Sequence, residues 1–190
     1  MRKLIVILLS LALMLGLSAC NSVNVGNIIK FGSYDWRVLD VQDDKALIIS
    51  EDIIELKSYH ADGGEITWEH SSIRQYLNGE FYNSFPPAEQ GRIVETIIIN
   101  CGNSIYGAAG GNDTTDNIFL LDFEEAQIYF TDDASRIAVD ADGEGGWWWL
   151  RSPGYDSIDA ACVYYNGGIG TSGYVGFIGG VRPAMWISLE

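Results

Sequence analysis

Oxygen-bearing side chains are concentrated in the glycine-rich stretch 102–117, where they could bind a hard cation. Asn112, Asp113 and Asp116 lie within five residues of one another. Calcium takes six to eight oxygen ligands in flexible geometry, so these three residues are candidate calcium ligands, although their spacing does not fit an EF-hand loop. Asn and Asp also occur in loops because their side chains bond the nearby backbone, and this structural interpretation is the favoured one. We expect no other cofactor.

A second candidate site is the tryptophan-rich run 147–154, which reads W-W-W-L-R-S-P-G. Side chains alternate along a strand, so Trp147 and Trp149 share one face and Trp148 takes the other. Burial of all three in the core is the simpler interpretation, whereas an exposed indole could stack on a sugar ring or anchor a protein partner. The candidate ligand-contact residues from this run and from the oxygen-rich loop are Trp148, Arg151, Tyr155, Asn112, Asp113 and Asp116.

Two arginines near these runs, Arg151 and Arg182, are expected to pair with buried acids and join loops rather than contact ligand. The sequence contains no G-x-S-x-G motif and no His or Cys spacing typical of a metal centre. With 26 acidic residues, carboxylate pairs arise by chance, so a hydrolase that uses such a pair stays open as an alternative.

The N-terminal segment predicts export. Arg2 and Lys3 precede an apolar run over 4–17, which is shorter than the roughly 20 residues that span a bilayer. The following Leu-Ser-Ala-Cys at 17–20 resembles the lipobox of bacterial lipoproteins, in which the cysteine receives a diacylglyceryl group. An ordinary secretory signal is the alternative. We expect a lipoprotein signal peptide at 1–19, a short linker at 20–25, and lipid anchoring through Cys20 at the extracytoplasmic face of the cell membrane.

Composition indicates a single ordered domain over 26–190. Eleven basic and 26 acidic residues give a net charge of −15, and losing Arg2 and Lys3 would leave nine basic residues and a charge of −17. Nucleic acid is therefore not an expected partner, because phosphates would be repelled. The 47% hydrophobic content argues against disorder. Export would permit a disulfide between Cys101 and Cys162, but two buried free thiols are the favoured state.

The pattern of apolar residues and turn residues predicts many short strands and a few helices. Helices are expected over 71–82, over Pro87–Gln90, and from a capping-box-like start at Asp122 to about Phe130. The glycine run Gly168–Gly173 is interpreted as a hairpin loop. Strands are expected at 28–31, 36–39, 46–49, 94–99, 118–121, 147–150, 160–165, 174–178 and 184–188.

Several segments together resemble a bacterial domain of unknown function that recurs in secreted and surface proteins, over residues 26–189. They are I-I-K-F-G-S-Y-D-W-R-V-L at 28–39, I-R-Q-Y-L-N-G-E-F at 73–81, N-D-T-T-D-N-I-F-L-L at 112–121, W-W-L-R-S-P-G at 148–154 and G-V-R-P-A at 180–184. The closing pattern is also similar to more distant C-type-lectin-like families, including the formylglycine-generating-enzyme domain. The resemblance implies a C-type-lectin-like α+β fold, with small antiparallel sheets, two to three short helices and ligand loops on one side. It implies no activity, and the copper-binding cysteine pair of those enzymes has no matching motif here.

These observations predict a lipid-anchored cell-envelope binding module that recognises a glycan, a peptide or an envelope protein, without catalysis. An envelope hydrolase with a carboxylate pair is the first alternative. A purely structural envelope lipoprotein is the second.

Overall fold

The computed structural model describes residues 23–190, so the predicted signal peptide and Cys20 lie outside the described residues. Two five-stranded sheets form most of this part of the chain, and two two-stranded ribbons and short helices complete it. The strands are β1 (Ile28–Phe31), β2 (Tyr34–Gln42), β3 (Lys45–Ser50), β4 (Glu55–Ser58), β5 (Ile93–Val94), β6 (Thr96–Ile98), β7 (Thr114–Asp116), β8 (Ala138–Val139), β9 (Gly145–Gly146), β10 (Trp148–Pro153), β11 (Asp159–Val163), β12 (Ile169–Tyr174), β13 (Ile178–Val181) and β14 (Ala184–Ser188). The α-helices are α1 (Ser72–Tyr76), α2 (Pro87–Gln90), α3 (Phe123–Tyr129) and α4 (Asp133–Arg136).

The first sheet has the strand order β1-β2-β3-β14-β5 and its pairs are antiparallel. The strands predicted at 28–31, 36–39 and 46–49 are confirmed as β1 to β3, which form an N-terminal meander. Asp43 has a φ of 50° in the tight turn between β2 and β3, a left-handed conformation that Asp tolerates better than most residues. The final strand, β14, inserts between β3 and β5, so the two ends of the domain share one sheet.

The second sheet has the order β12-β11-β10-β13-β4, in which only the β10–β13 pair is parallel. The tryptophan run at its centre alternates as predicted. Trp147 and Trp149 lie on one face and pack edge to face, with ring centroids 4.6 Å apart. Trp148 lies on the other face against Phe130. Trp148 and Trp149 are completely buried, so this run forms core.

Two strand predictions, over 94–99 and 118–121, are wrong in detail. The predicted strand over 94–99 is divided between β5, which pairs with β14, and β6, which pairs with β7. Ile97 consequently points outward and is 70% exposed. Residues 118–121 are buried, but they form a single bridge from Phe119 to Ala184 rather than a strand.

The glycine run Gly168–Gly173 lies mainly in strand β12, and the predicted strand over 174–178 contains the following turn. Close ring packing explains these glycines. A Cβ on Gly170 would lie 2.1 Å from the Tyr164 hydroxyl oxygen, and one on Gly173 would lie 2.6 Å from the Trp149 ring. The glycines therefore admit aromatic rings against a strand, and this pattern imitates a turn in sequence.

The helix predictions hold for α1 to α3. Asp122 and Glu125 form a complete capping box, and α3 ends at Tyr129. The helix over 71–82 begins as α1 behind the cap residue Ser71, then continues as a π-helical turn at Leu77–Phe81. The short helix α4 was not predicted. The described part is thus a mixed α+β fold with small, mainly antiparallel sheets, which confirms the predicted class.

Arg182 is buried in this core and has no carboxylate partner among residues 23–190, contrary to the expected acid pairing. Its Nε and Nη2 atoms donate to the Ser50 carbonyl oxygen at 3.2 and 2.9 Å, and Nη2 also donates to the Glu51 carbonyl oxygen. The guanidinium carbon lies 4.8 Å from the Trp148 ring centroid. Burial lowers the pKa of Arg182 to about 10. Its role is to satisfy main-chain carbonyls in the core.

None of the helices in residues 23–190 has the length and apolarity needed to cross a membrane.

Candidate ligand-binding groove

An open groove with a cavity volume of about 140 Å³ lies between the long loop, the start of α3 and the end of β10. Thr171 of β12 also contributes to its lining. The lining residues are Cys101, Gly102, Asn103, Ser104, Ile105, Asp122, Phe123, Glu124, Gln127, Ser152, Pro153 and Thr171. A cavity of this size is smaller than most pockets for drug-sized ligands and suits roughly one sugar ring or one side chain, with the rest of the ligand outside it.

Asn103 fixes the loop wall through both ends of its side-chain amide. Its Nδ2 atom donates to the carbonyl oxygens of Pro153 and Gly154 at 3.3 and 3.0 Å. Its Oδ1 atom accepts from the N–H groups of Ile105 and Tyr106 at 3.0 and 3.2 Å. One side chain therefore folds the loop tip and ties it to the end of β10, so the groove is preformed.

An exposed aromatic pair stands beside the groove. Tyr106 and Tyr155 are 49% and 58% exposed, and their ring centroids are 4.8 Å apart. The Tyr155 N–H donates to the carbonyl oxygen of Thr171, a groove residue. Ile105, which lines the groove, is 71% exposed. These side chains form an apolar, aromatic surface next to a cavity with both polar and apolar lining residues, which is the usual composition of a ligand site.

Arg151 lies beneath the groove and holds two carboxylates. It donates to Asp122 Oδ2 at 2.8 Å and to Glu125 Oε2 at 2.5 Å, and its Nη1 atom donates to the Leu120 carbonyl oxygen. Burial alone would lower the pKa of Arg151, but Glu125 and Asp122 outweigh it and raise that pKa. Burial raises the pKa of Asp122, and the opposing charge of Arg151 does not fully offset it. The expected pairing of Arg151 with acids is confirmed.

The structure corrects three of the predicted contact residues. Trp148 is fully buried and Arg151 is 5% exposed, so neither offers its side chain to a ligand at the surface. Asp116 is 1% exposed, and both of its carboxylate oxygens are engaged. They accept hydrogen bonds from Trp68, Thr114 and Arg74 at 2.7 to 2.8 Å. Arg74 supplies the positive charge there, so Asp116 is not a calcium ligand.

Asn112 and Asp113 are exposed but do not line the groove. Asn112 donates to Glu69 Oε2 at 2.9 Å, and Asp113 Oδ1 accepts from the Asn100 N–H at 3.0 Å. Both bonds fix the base of the long loop, as the structural interpretation expects. Within residues 23–190, no three His, Cys, Asp or Glu side chains come together as metal ligands.

None of the six predicted contact residues lines the groove, but exposed Tyr155 lies beside it through its bond to Thr171. Sequence reasoning missed Asn103, Tyr106 and Glu124, although the unusual length of the 102–117 loop was a signal for the first two. Glu124 gave no signal, because an acid in the first turn of a helix is normally explained by the helix itself.

The two thiols differ in access, and neither forms a disulfide within residues 23–190. Cys101 is exposed and lines the groove, which corrects the expectation that it is buried. Cys162 is 2% exposed, and burial raises its pKa to about 11. At about pH 8 we expect iodoacetamide to modify Cys101 in the folded protein, and Cys162 only after unfolding, because the thiolate is the reactive form. Peptide mapping by mass spectrometry checks this; equal modification of both thiols in the folded protein would contradict it.

Comparison with known families places the chain. Residues 43–189 match the model of a domain of unknown function, DUF6273. The chain belongs to the DUF6273 family. The match spans β3 to β14 and therefore contains every residue of the groove. Strands β1 and β2 precede the match, yet they complete the first sheet, because β2 pairs with β3 and β1 pairs with β2. No curated protein and no solved structure matches the chain.

Proposed function

We propose that this DUF6273 protein is an extracytoplasmic binding module and that its groove holds a glycan. The observation that carries the proposal is the exposed pair Tyr106 and Tyr155 beside a preformed groove that also carries polar side chains. Aromatic rings offer a flat apolar face on which a sugar ring stacks, while nearby polar groups bind hydroxyls. Ser104 and Thr171 supply such groups here.

The N-terminal sequence supports the location. The basic, apolar and small-residue pattern of residues 1–20 favours export and a lipid on Cys20, and residues 21–25 would keep the domain close to the lipid surface. Ligand loops on one side of a mixed fold are also consistent with a C-type-lectin-like architecture, which we retain as part of the proposal. A glycan of the cell envelope would then be within reach of the groove.

The groove supports binding better than carboxylate-pair hydrolysis. Such hydrolysis needs two carboxyl groups that exchange protons with the substrate. Asp122 accepts from the Glu125 N–H through one oxygen and from Arg151 through the other. That leaves Glu124 as the acid in the lining whose side chain has no bond within residues 23–190.

The proposed glycan site is tested by removing one ring of the exposed tyrosine pair. We expect Tyr155→Ala in the full-length chain, purified in detergent, to weaken binding of envelope polysaccharide fragments by roughly three- to tenfold, the range expected for one aromatic contact. Isothermal titration calorimetry with wild-type and variant protein measures the change.

Tyr165→Ala is the matched control, because Tyr165 is 72% exposed and does not line the groove. It should leave the affinity unchanged. Equal effects of the two variants, or wild-type protein that binds no envelope polysaccharide, would count against a glycan site at the groove.

A further inference from the structure

The charges that line the groove are all negative. Asp122 and Glu124 are its ionisable carboxylates, and no Lys, Arg or His side chain is among the lining residues in the described part of the chain. Arg151 beneath the groove does not reverse this balance, because one guanidinium is shared between Asp122 and Glu125. A ligand that enters the groove therefore meets a net negative wall.

Glu124 carries the free charge of that wall. It is exposed on α3, and its side chain has no hydrogen-bond or ion-pair partner within residues 23–190. Asp122, by contrast, is fixed as the cap of α3 and as a partner of Arg151. An incoming cation would pair with Glu124 without displacing any internal bond.

The exposed rings of Tyr106 and Tyr155 also favour a positively charged ligand. Ring faces attract cations, most strongly when water is partly excluded. Tyr106 and Tyr155 stand beside the groove with exposed rings, and an anionic ligand would gain nothing from them. The whole chain, with its net charge of −15, also attracts cations and repels anions. Carboxylate, rings and overall charge thus favour one class of ligand.

We infer that the groove recognises an amino sugar that carries a free ammonium group, with the ammonium paired to Glu124 and the ring stacked near Tyr106 and Tyr155. This inference rests on the proposed glycan-binding function and adds the charge of the ligand. It distinguishes a deacetylated glycan from its acetylated counterpart, which has the same ring but no charge.

Two oligosaccharides of equal length separate these ligands: a glucosamine pentamer and an N-acetylglucosamine pentamer. Calorimetry with the full-length chain at about pH 6 and low salt keeps the sugar amine protonated. We expect the glucosamine oligomer to bind about fivefold more tightly, the upper range for one exposed ion pair. Glu124→Gln should remove most of that difference.

Glu144→Gln is the matched control. Glu144 is exposed in the turn before β9 and is not a groove residue, and its substitution removes the same charge from the chain. A specific site predicts that Glu144→Gln keeps the preference for the glucosamine oligomer. If both variants reduce it equally, the preference comes from net charge alone and the inference is overturned.

The remaining outcomes separate the inference from the proposed function. Equal affinity for the two oligomers, with both weakened by Tyr155→Ala, overturns the charged ligand and leaves the glycan site standing. Binding of neither oligomer overturns the inference, and the polysaccharide test above then decides on the glycan site. A lysine tetrapeptide that binds more tightly than the glucosamine oligomer, in a manner lost in Glu124→Gln, overturns the assignment to a sugar.

Discussion

Trp148→Ala is expected to lower the free energy of unfolding by about 3–5 kcal/mol, the range for removing a large aromatic side chain from a core. The Trp148 ring is fully buried against Phe130 and the Arg182 guanidinium. Its indole N–H donates to the Arg136 carbonyl oxygen at 3.0 Å, so truncation also leaves that carbonyl without its partner. Urea denaturation followed by tryptophan fluorescence measures the loss.

Alanine substitution of the exposed Tyr155 provides the comparison for the free energy of unfolding. Tyr155→Ala should change the free energy of unfolding by less than about 0.5 kcal/mol, as surface substitutions usually do, because its ring is 58% exposed. The pair of variants thus separates stability from binding: Trp148→Ala acts on the fold and Tyr155→Ala on the ligand. A Trp148→Ala protein of wild-type stability would show that the packing around Trp148 is not as described.

Arg151→Leu is expected to cost about 3–5 kcal/mol, the usual result of leaving partly buried charges without their partner. The variant places Asp122 and Glu125 close together with no cation between them, and the Leu120 carbonyl oxygen loses a donor. Chemical denaturation at neutral pH measures the loss. The triple variant Arg151→Leu with Asp122→Asn and Glu125→Gln should recover part of it, because the like charges are gone.

The cost of Arg151→Leu should also depend on pH. In the folded protein burial raises the pKa of Asp122 above its usual 3.8, and the positive charge of Arg151 limits that rise. Without Arg151 that pKa rises further, so the folded variant retains its proton more readily than the unfolded chain. Stability of the variant is then highest near and below pH 3.8 and falls as the pH rises above it. The difference from wild type should therefore shrink towards acid pH, and a constant difference across this range would contradict the account.

The predicted and observed sites differ for a reason that the tryptophan run illustrates. Alternation along β10 follows from strand geometry alone, so the sequence predicts correctly that Trp147 and Trp149 share a face. Whether either face meets water depends on what covers it. Phe130, from the end of α3, covers Trp148, and the buried Tyr59 ring packs against Trp149. These contacts are remote in sequence, and no local pattern contains them.

The oxygen-rich loop shows the same limit for charged groups. The types of Asn112, Asp113 and Asp116 suit a cation, but their partners decide their role. Asp116 meets Arg74 and Trp68 from a segment some 40 residues away, and these donors occupy its oxygens. The sequence does not indicate Asn103 as a site residue, because its role depends on hydrogen bonds to the carbonyl oxygens of Pro153 and Gly154, which are distant in sequence.

The sequence by itself determined the elements whose causes are local. These are the N-terminal meander with its turn at Asp43, the capping box of Asp122 and Glu125, the alternation of the tryptophans and the mixed α+β class. Local causes are visible in sequence because backbone conformation and capping depend on residues a few positions apart. Only the tertiary structure decided which groups are exposed and which are paired. It buried Trp148 and Asp116, gave Arg151 its two carboxylates, and brought Tyr106 beside Tyr155 at a groove that also holds Glu124, whose side chain has no partner in the described part of the chain. Burial and pairing are set by contacts between distant segments, and those contacts exist only once the chain has folded.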